Sequence, residues 1–484
     1  MEAVLEKYEV VIGLEIHAQM LTKTKAFSSD KSEYGALPNH NISAITLGHP
    51  GTLPRHNKKA VENAIKVGLA FDCNITEENI YARKNYFYAD LPKGYQITQD
   101  KTPLCVGGFV KIKEEDGTIK KIELTRIHME EDSGKSIHDM DVYDSLIDYN
   151  RAGTPLVEIV TEPVIKTGEE AYKFVTEVRK ILRYLEVCDG NMEEGSLRCD
   201  ANISIMPKGT NTFGTKVEVK NMNSMTNVKK AIEYEILRQA EALDKGEVIM
   251  GETRSYDAVR NVTFSMRAKE LVNDYRYFPE PDLPPLIVTQ DKIAEIKATM
   301  PLLPEQLELR FKNEFGLNEY DAHQLTENKE LAAYFEEVAQ HTQNYKAAAN
   351  WIMGDIKGYL NANALELDNF VLSGESIAQI IALIDSDQVS NSMASQKLFP
   401  ALVQNPTKSP LDLANELNIV QNSDVDFLET VIDAVLAEWT DKVAEYKSGK
   451  KGLMGLFMGE VMKRSQGKAD PKATSALLGK KLDS

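Results

Sequence analysis

Cysteine is scarce in this chain. The four present, Cys73, Cys105, Cys188 and Cys199, lie far apart among 484 residues, and none belongs to a CxxC pair. That spacing argues against a zinc site, so no zinc is expected; it predicts reduced, buried thiols in a cytoplasmic protein. No apolar run approaches the ~20 residues of a membrane span. The opening MEAVLEKYEV lacks the basic and apolar segments of a secretory leader. Positive charge is in deficit too, with 56 Lys and Arg against 74 Asp and Glu and a net charge of −18. A surface that holds nucleic acid by bulk charge is thereby excluded, and any RNA would need a local basic patch. What remains is a soluble globular composition, 42% apolar and 27% charged. The chain is too long for one core, and two to four domains are expected.

The most informative stretch is Tyr8–Gln19, YEVVIGLEIHAQ. As a strand it turns Ile12, Leu14, Ile16 and Ala18 to one face and Gly13, Glu15, His17 and Gln19 to the other. Glu15 and His17 would then stand roughly 7 Å apart along the strand, able to converge on one ion or substrate. The pattern recurs. In Lys121–Glu130, Arg126, His128 and Glu130 share a face. In Ser196–Ile205, Arg198, Asp200 and Asn202 alternate with Leu197, Cys199 and Ala201. In Gly214–Asn221, Lys216, Glu218 and Lys220 alternate with Val217 and Val219. Glu158 interrupts the apolar strand Leu156–Val160, where a carboxylate is costly unless it faces solvent or is neutralised. Helices are expected at Arg55–Ala70, opened by Pro54, at Gly168–Val187, and at Asn227–Lys245, stopped by Gly246.

The segment at 83–99, RKNYFYADLPKGYQITQ, interleaves Arg83, Lys84 and Lys93 with aromatics, a mixture that can hold phosphates and stack a base. Gly134–Ser136 is a GKS triplet, but Met129 stands where a P-loop needs glycine and three carboxylates would crowd the phosphate. The proline-dense Asp274–Leu286 predicts an extended exit from the domain. Beyond it helical patterns take over. From Lys447 to Ser484, nine Lys or Arg face three Asp or Glu. That basic tail suits contact with a nucleic-acid backbone, and Gly449, Gly452 and Gly455 could let it swing.

The sequence therefore predicts an α+β protein. A β-rich, mainly antiparallel domain over residues 1–295 precedes an all-helical domain at 296–404 and a small helical tail domain at 405–484. Glu15, His17, Glu130, Glu158, Asp200 and Glu218 are candidate acids or metal ligands. Arg83, Lys84, Lys93, Arg151, Arg198 and Lys220 supply positive charge. The mixture suits a nucleotide with a divalent cation. Mg²⁺ prefers oxygen donors, so His17 would fit Mn²⁺ better or act beside the ion. No Ser–His–Asp order indicates a protein nucleophile.

Several stretches resemble one family, the B subunits of the aspartyl/glutamyl-tRNA(Asn/Gln) amidotransferases. They are VIGLEIHAQ at 11–19, HPGTLPRHNKKAVENAIKVGLA at 49–70, the 83–99 segment, RIHMEEDSGKSIH at 126–138 and DYNRAGTPLVEIVTEP at 148–163. The likeness continues with EEGSLRCDANISI at 193–205, GTKVEVKNMNS at 214–224, DYRYFPEPDLPPL at 274–286 and KGLMGLFMGEVMKRSQGKADPK at 451–472. His49, Ala89, Met225–Thr226 and Asn261–Phe264 depart from its pattern. The resemblance implies a cradle-shaped first domain and an ATP- and Mg²⁺-dependent ligase. Such an enzyme phosphorylates the side-chain carboxylate of Glu-tRNA(Gln) or Asp-tRNA(Asn), and ammonia that an amidase subunit releases from glutamine displaces the phosphate. A small third subunit completes the heterotrimer. It further implies catalytic roles for Glu15, His17, Glu130, Glu158 and Glu218, and nucleotide contacts from the six cationic residues with Asn221. The tail would touch tRNA through Lys450, Lys451, Lys463, Arg464, Lys468 and Lys472. The competing expectations are a non-catalytic tRNA-binding scaffold and a free-standing ligase for a soluble acid.

Overall fold

Strict alternation in the first strand sets the architecture. In the computed structural model, which describes residues 2–138, 140–210, 212–268, 275–420, 425–465 and 468–483, β1 (Tyr8–Gln19) buries Ile12, Leu14, Ile16 and Ala18 completely. Glu15, His17 and Gln19 stay partly accessible on the other face. β1 runs through the middle of a ten-stranded sheet. Further strands are β2 (Tyr81–Asn85), β3 (Tyr95–Gln99), β4 (Ile119–Glu131), β5 (Pro155–Thr161), β6 (Leu197–Pro207), β7 (Val217–Lys220), β8 (Glu252–Asp257), β9 (Val262–Ala268) and β10 (Arg276–Pro279). β5 and then β4 lie antiparallel on one side of β1, and β6 and then β7 on the other. β8 joins β7 in parallel and β9 closes that edge. A smaller sheet orders β10, β2 and β3 side by side.

Three helices cover the apolar face: α1 (Lys58–Ala70), α2 (Gly168–Tyr184) and α3 (Met225–Asp244). Their Ala64, Phe174, Val178 and Ile232 share one core with Ile12, Leu14 and Ile16. The sequence places the start of α1 too early. Asn57, not Pro54, opens it, because its side-chain oxygen accepts from the backbone N–H groups of Lys59 and Ala60 and so satisfies donors that a helix start leaves orphaned. Ser224 caps α3 in the same way, and the helix begins two residues before the start expected from sequence.

The segment expected to leave the domain instead returns to it. Asp274 lies outside the described residues, but β10 pairs with β2, and Leu286–Ile287 pairs with Glu78–Asn79. The physical reason is an ion pair. Glu280, with its side chain wholly buried, receives Arg83 Nε at 2.7 Å and Nη2 at 2.9 Å, and Asp282 takes Nη2 at 3.0 Å.

The chain divides into two compact units, Met1–Leu303 and Pro304–Ser484. Among its described residues, the named elements of the second are all helices, joined by turns and loops. Near its end α4 (Val425–Glu438), α5 (Met454–Arg464) and α6 (Pro471–Asp483) bury Leu428, Ile432, Phe457, Val461 and Leu478 against one another. Of the three glycines taken as hinges, Gly449 alone has a left-handed backbone, with φ +116°. Gly452 and Gly455 are taken up in helical turns. All four cysteines are free and buried. Among the described residues no helix is long and apolar enough to cross a membrane.

Breaking the buried Arg83–Glu280 pair leaves a carboxylate without its partner, at a cost of about 3–5 kcal/mol. Arg83→Ala is expected to lower the denaturant midpoint of the first unit accordingly. A loss below about 1 kcal/mol would show that the pair does not hold the returning segment.

Candidate active site

Antiparallel register lines up ionisable groups across the open face of the sheet. His17 on β1 stands opposite Glu158 on β5, and Glu158 opposite His128 on β4. On the other side of β1, Glu15 faces Asp200 on β6, and Asn202 faces Glu218 on β7. The pleat turns all of these away from the core.

The groups form two triads. His17, Glu130 and Glu158 each bring one ligand atom within 4.8 Å of the others, and so do Glu15, Asp200 and Glu218. Glu15 and His17, which the sequence placed close enough to converge on one ion or substrate, fall into different sets, because the strand order divides the candidates and β1 contributes one residue to each. In the first set the Glu158 carboxylate meets His17 Nε2 at 3.3 Å and His128 Nε2 at 3.2 Å. Burial alone would raise its pKa, but the two imidazoles outweigh burial and hold it well below the usual carboxylate range. Burial pulls the other way on His128, yet Glu158 and Glu130 push it up to about 9. Glu130 accepts from Gln96 Nε2 at 2.8 Å and Thr98 Oγ1 at 3.0 Å, and Lys84 Nζ stands 3.5 Å away.

In the second set, Glu15 accepts from Asn202 Nδ2 and Glu218 from Thr253 Oγ1, both at 2.8 Å. Lys220 Nζ bridges Asp200 at 2.6 Å and Glu218 at 3.0 Å, and those carboxylates raise its pKa against the effect of burial. A buried Asp132 holds the neighbouring cations: Arg198 at 2.8 Å, with Arg151 Nε 3.7 Å away. Arg198 Nε is buried and has no hydrogen-bond partner among the described residues. Such a donor fits an anion arriving from outside.

A cleft of about 1410 Å³ opens over this surface, lined by His17, Lys84, Glu130, Arg198, Asp200 and Lys220 among others. Arg151 and Asn221 also line it, and Asn221 has φ +67° as β7 ends. Two sequence candidates fall elsewhere. Arg83 neighbours Lys84, so it points to the opposite face of β2, where Glu280 and Asp282 hold it. Lys93 pairs with Glu131 and lines a separate cavity of about 170 Å³. In the second unit, Lys450, Lys451, Arg464 and Lys472 pair with Glu445, Asp483, Glu438 and Asp387 respectively. Lys463 is exposed and Lys468 half-buried.

Sequence reasoning missed His128, Asp132, Gln96, Thr98, Asn202 and Thr253. His128 had a signal, since it alternates with Glu130. The Thr253–Glu218 contact had none, because it depends on which strand lies beside β7. Chemically, the two oxygen-rich donor sets suit hard divalent cations, and the cations around them suit phosphate oxygens.

Comparison with known proteins identifies the family. Residues 10–294 match the family model described as the GatB/GatE catalytic domain, and residues 333–482 match the one described as the GatB domain. Proteins named as B subunits of aspartyl/glutamyl-tRNA(Asn/Gln) amidotransferase are similar over nearly the whole length. The one from Thermosynechococcus vestitus is 49% identical, covering 98% of this chain and 97% of its own. That from Trichodesmium erythraeum is 46% identical over 99% and 98%, and that from Trichlorobacter lovleyi 47% over 98% and 99%. A likeness of this extent, on a chain whose site residues meet on one sheet, shows that the protein belongs to the family of aspartyl/glutamyl-tRNA(Asn/Gln) amidotransferase B subunits.

Proposed function

We propose that this protein carries the phosphorylating site of a glutamine-hydrolysing tRNA amidotransferase, within residues 1–295. Its substrate is the side-chain carboxylate of Glu-tRNA(Gln), Asp-tRNA(Asn) or both, and its phosphoryl donor is ATP. A carboxylate oxygen attacks the γ-phosphorus and ADP leaves. Ammonia, released from glutamine by an amidase partner, then attacks the acyl carbon and expels phosphate, leaving the amide. A small third subunit completes the assembly, which works in the cytoplasm. The observation that carries this reading is the pair of triads on one open sheet face with Lys84, Arg198 and Lys220 beside them.

The donor chemistry fits divalent metal. Glu15, Asp200 and Glu218 form an all-oxygen set suited to Mg²⁺, while His17 in the other set also admits Mn²⁺. When bound, such ions supply Lewis-acid neutralisation of phosphate oxygens. The chain's own residues do the rest. Arg198, with its unpaired Nε, and Lys220 hold phosphate oxygens and offset charge in the loose transition state. Lys84 steadies Glu130 and meets incoming negative charge. Gln96, Thr98, Asn202 and Thr253 fix the carboxylates so that little reorganisation is needed.

In the second unit, Lys463 and Lys468 lie on the surface we assign to the tRNA backbone. Removing residues 447–484 would strip Phe457, Val461 and Leu478 from their core, so charge substitution is the cleaner probe. The doubly substituted Lys463→Gln, Lys468→Gln protein is expected to bind tRNA more weakly. Its log–log salt slope should flatten by about 0.9 for each lost duplex phosphate contact. An unchanged slope would place the tRNA elsewhere.

The catalytic reading predicts that the reconstituted assembly converts Glu-tRNA(Gln) to Gln-tRNA(Gln) with stoichiometric ADP formation. Glu130→Ala and Glu218→Ala are each expected to abolish ADP formation while glutamine hydrolysis persists. Wild-type ADP formation in both variants would refute the site. Absence of ATP–Mg²⁺ binding by the wild-type chain would favour a scaffold instead.

A further inference from the structure

The aromatic part of residues 83–99 takes no part in the chemistry above, yet it is built against the first triad. Tyr86, Tyr88, Tyr275 and Tyr277 form a continuous edge-to-face ladder. The ring centres of Tyr86 and Tyr88 are 5.8 Å apart, those of Tyr86 and Tyr275 5.4 Å, and those of Tyr275 and Tyr277 6.4 Å. The ladder is tied to the site twice. The Tyr86 hydroxyl donates to Gln96, whose amide donates to Glu130. Lys84 Nζ lies 5.0 Å from the Tyr275 ring centre and 3.5 Å from the Glu130 carboxylate. The outer rings nonetheless remain open: Tyr88 is 56% exposed, Tyr275 46% and Tyr277 40%.

Rings needed only for packing would be covered. These are fixed in orientation by their neighbours and anchored by a hydrogen bond, while their own surfaces face solvent. Rigid, accessible aromatic faces beside a cation match the stacking chemistry of a nucleobase. We propose that this ladder is the stacking platform for the terminal nucleobase of the aminoacylated tRNA, a proposal that rests on the phosphorylating role assigned to the site above.

The tether selects the occupant. The reacting carboxylate is joined to the terminal ribose by an ester spanning roughly 7 Å, about two residue lengths of extended chain. When it reaches the first triad, its own base must lie just beyond, which is where Tyr275 and Tyr86 stand. The base of ATP is separated from the transferring phosphoryl by the rest of the triphosphate and a ribose. Lys220, which suits that triphosphate, stands on β7 between Asp200 and Glu218, on the other side of β1 from Glu130 and Glu158, and Arg198 on β6 spans the gap to Asp132. Lys84 is the cation that meets both Glu130 and the Tyr275 ring, and one ammonium suits one carboxylate.

The test uses the assembled amidotransferase and two fluorescent probes. One is uncharged tRNA(Gln) with 2-aminopurine at its 3′ terminus, and the other is 2-aminopurine riboside triphosphate. Stacking quenches 2-aminopurine. Wild-type enzyme is expected to quench the tRNA probe at saturation. Tyr275→Leu should restore its emission and raise the tRNA Kd about 5- to 150-fold, the worth of one stacked base. Tyr275→Phe, which keeps the ring, should behave as wild type, and both variants should show the wild-type circular dichroism spectrum and thermal midpoint, showing that they fold. Quenching of the tRNA probe that survives Tyr275→Leu would overturn the platform. So would a dependence on Tyr275 confined to the triphosphate probe. ADP formation by the wild type from ATP, Mg²⁺ and Glu-tRNA(Gln) is measured alongside: with ADP formed and quenching insensitive to Tyr275, the platform alone fails, whereas a wild type that forms no ADP overturns the parent reading and the tether argument with it.

Discussion

A carboxylate set in the middle of an apolar strand is the constraint on which this site depends. Glu158 is 7% exposed and flanked by Val157 and Ile159, both wholly buried. Unpaired, such a charge would cost several kcal/mol. His17 and His128 remove the difficulty by approaching from the strands on either side. That arrangement exists in one register only. A slip of β5 by a single residue would turn Glu158 into the core and Ile159 out of it. The interior thus enforces the alignment that the chemistry requires, and the helices over Ile12, Leu14 and Ile16 set the geometry of an acid they never touch.

The same logic divides the electrostatics. β1 gives His17 to one triad and Glu15 to the other, so two anionic centres share a backbone roughly 7 Å long between them. Each has its own hydrogen-bond donors and its own cation: Gln96, Thr98 and Lys84 for the first, Asn202, Thr253 and Lys220 for the second. Arg198, opposite His17 and held by Asp132, lies between the two sets. On the proposed reading, two such centres placed side by side grip a donor and an acceptor at once, which a transfer between two anions demands.

Much of this was legible in the sequence, and the limits have definite causes. The strands announce themselves by period, and parity alone put Glu15, His17, Glu130, Asp200 and Glu218 on exposed faces. Parity also separates Arg83 from Lys84, but the partner that occupies Arg83 is Glu280, almost two hundred residues along the chain, and no local pattern points to it. The division into two triads rests on strand order, which alternation does not encode. His128 was visible on the right face, yet a second histidine is a weaker signal for a hard cation than the carboxylates around it. The start of α1 was misplaced because proline is the louder signal, although Asn57 supplies the hydrogen bonds. The basic tail reads correctly as charge, while the core it shares with Leu428 and Ile432 is invisible until the helices are assembled.

The account stands or falls on whether two separate cation sites lie on one sheet face. Crystals of the protein grown with Mn²⁺ and a non-hydrolysable ATP analogue, measured for anomalous scattering, test it directly. Two peaks are expected, one among His17, Glu130 and Glu158 and one among Glu15, Asp200 and Glu218. A single peak, or metal bound away from both triads, would contradict it.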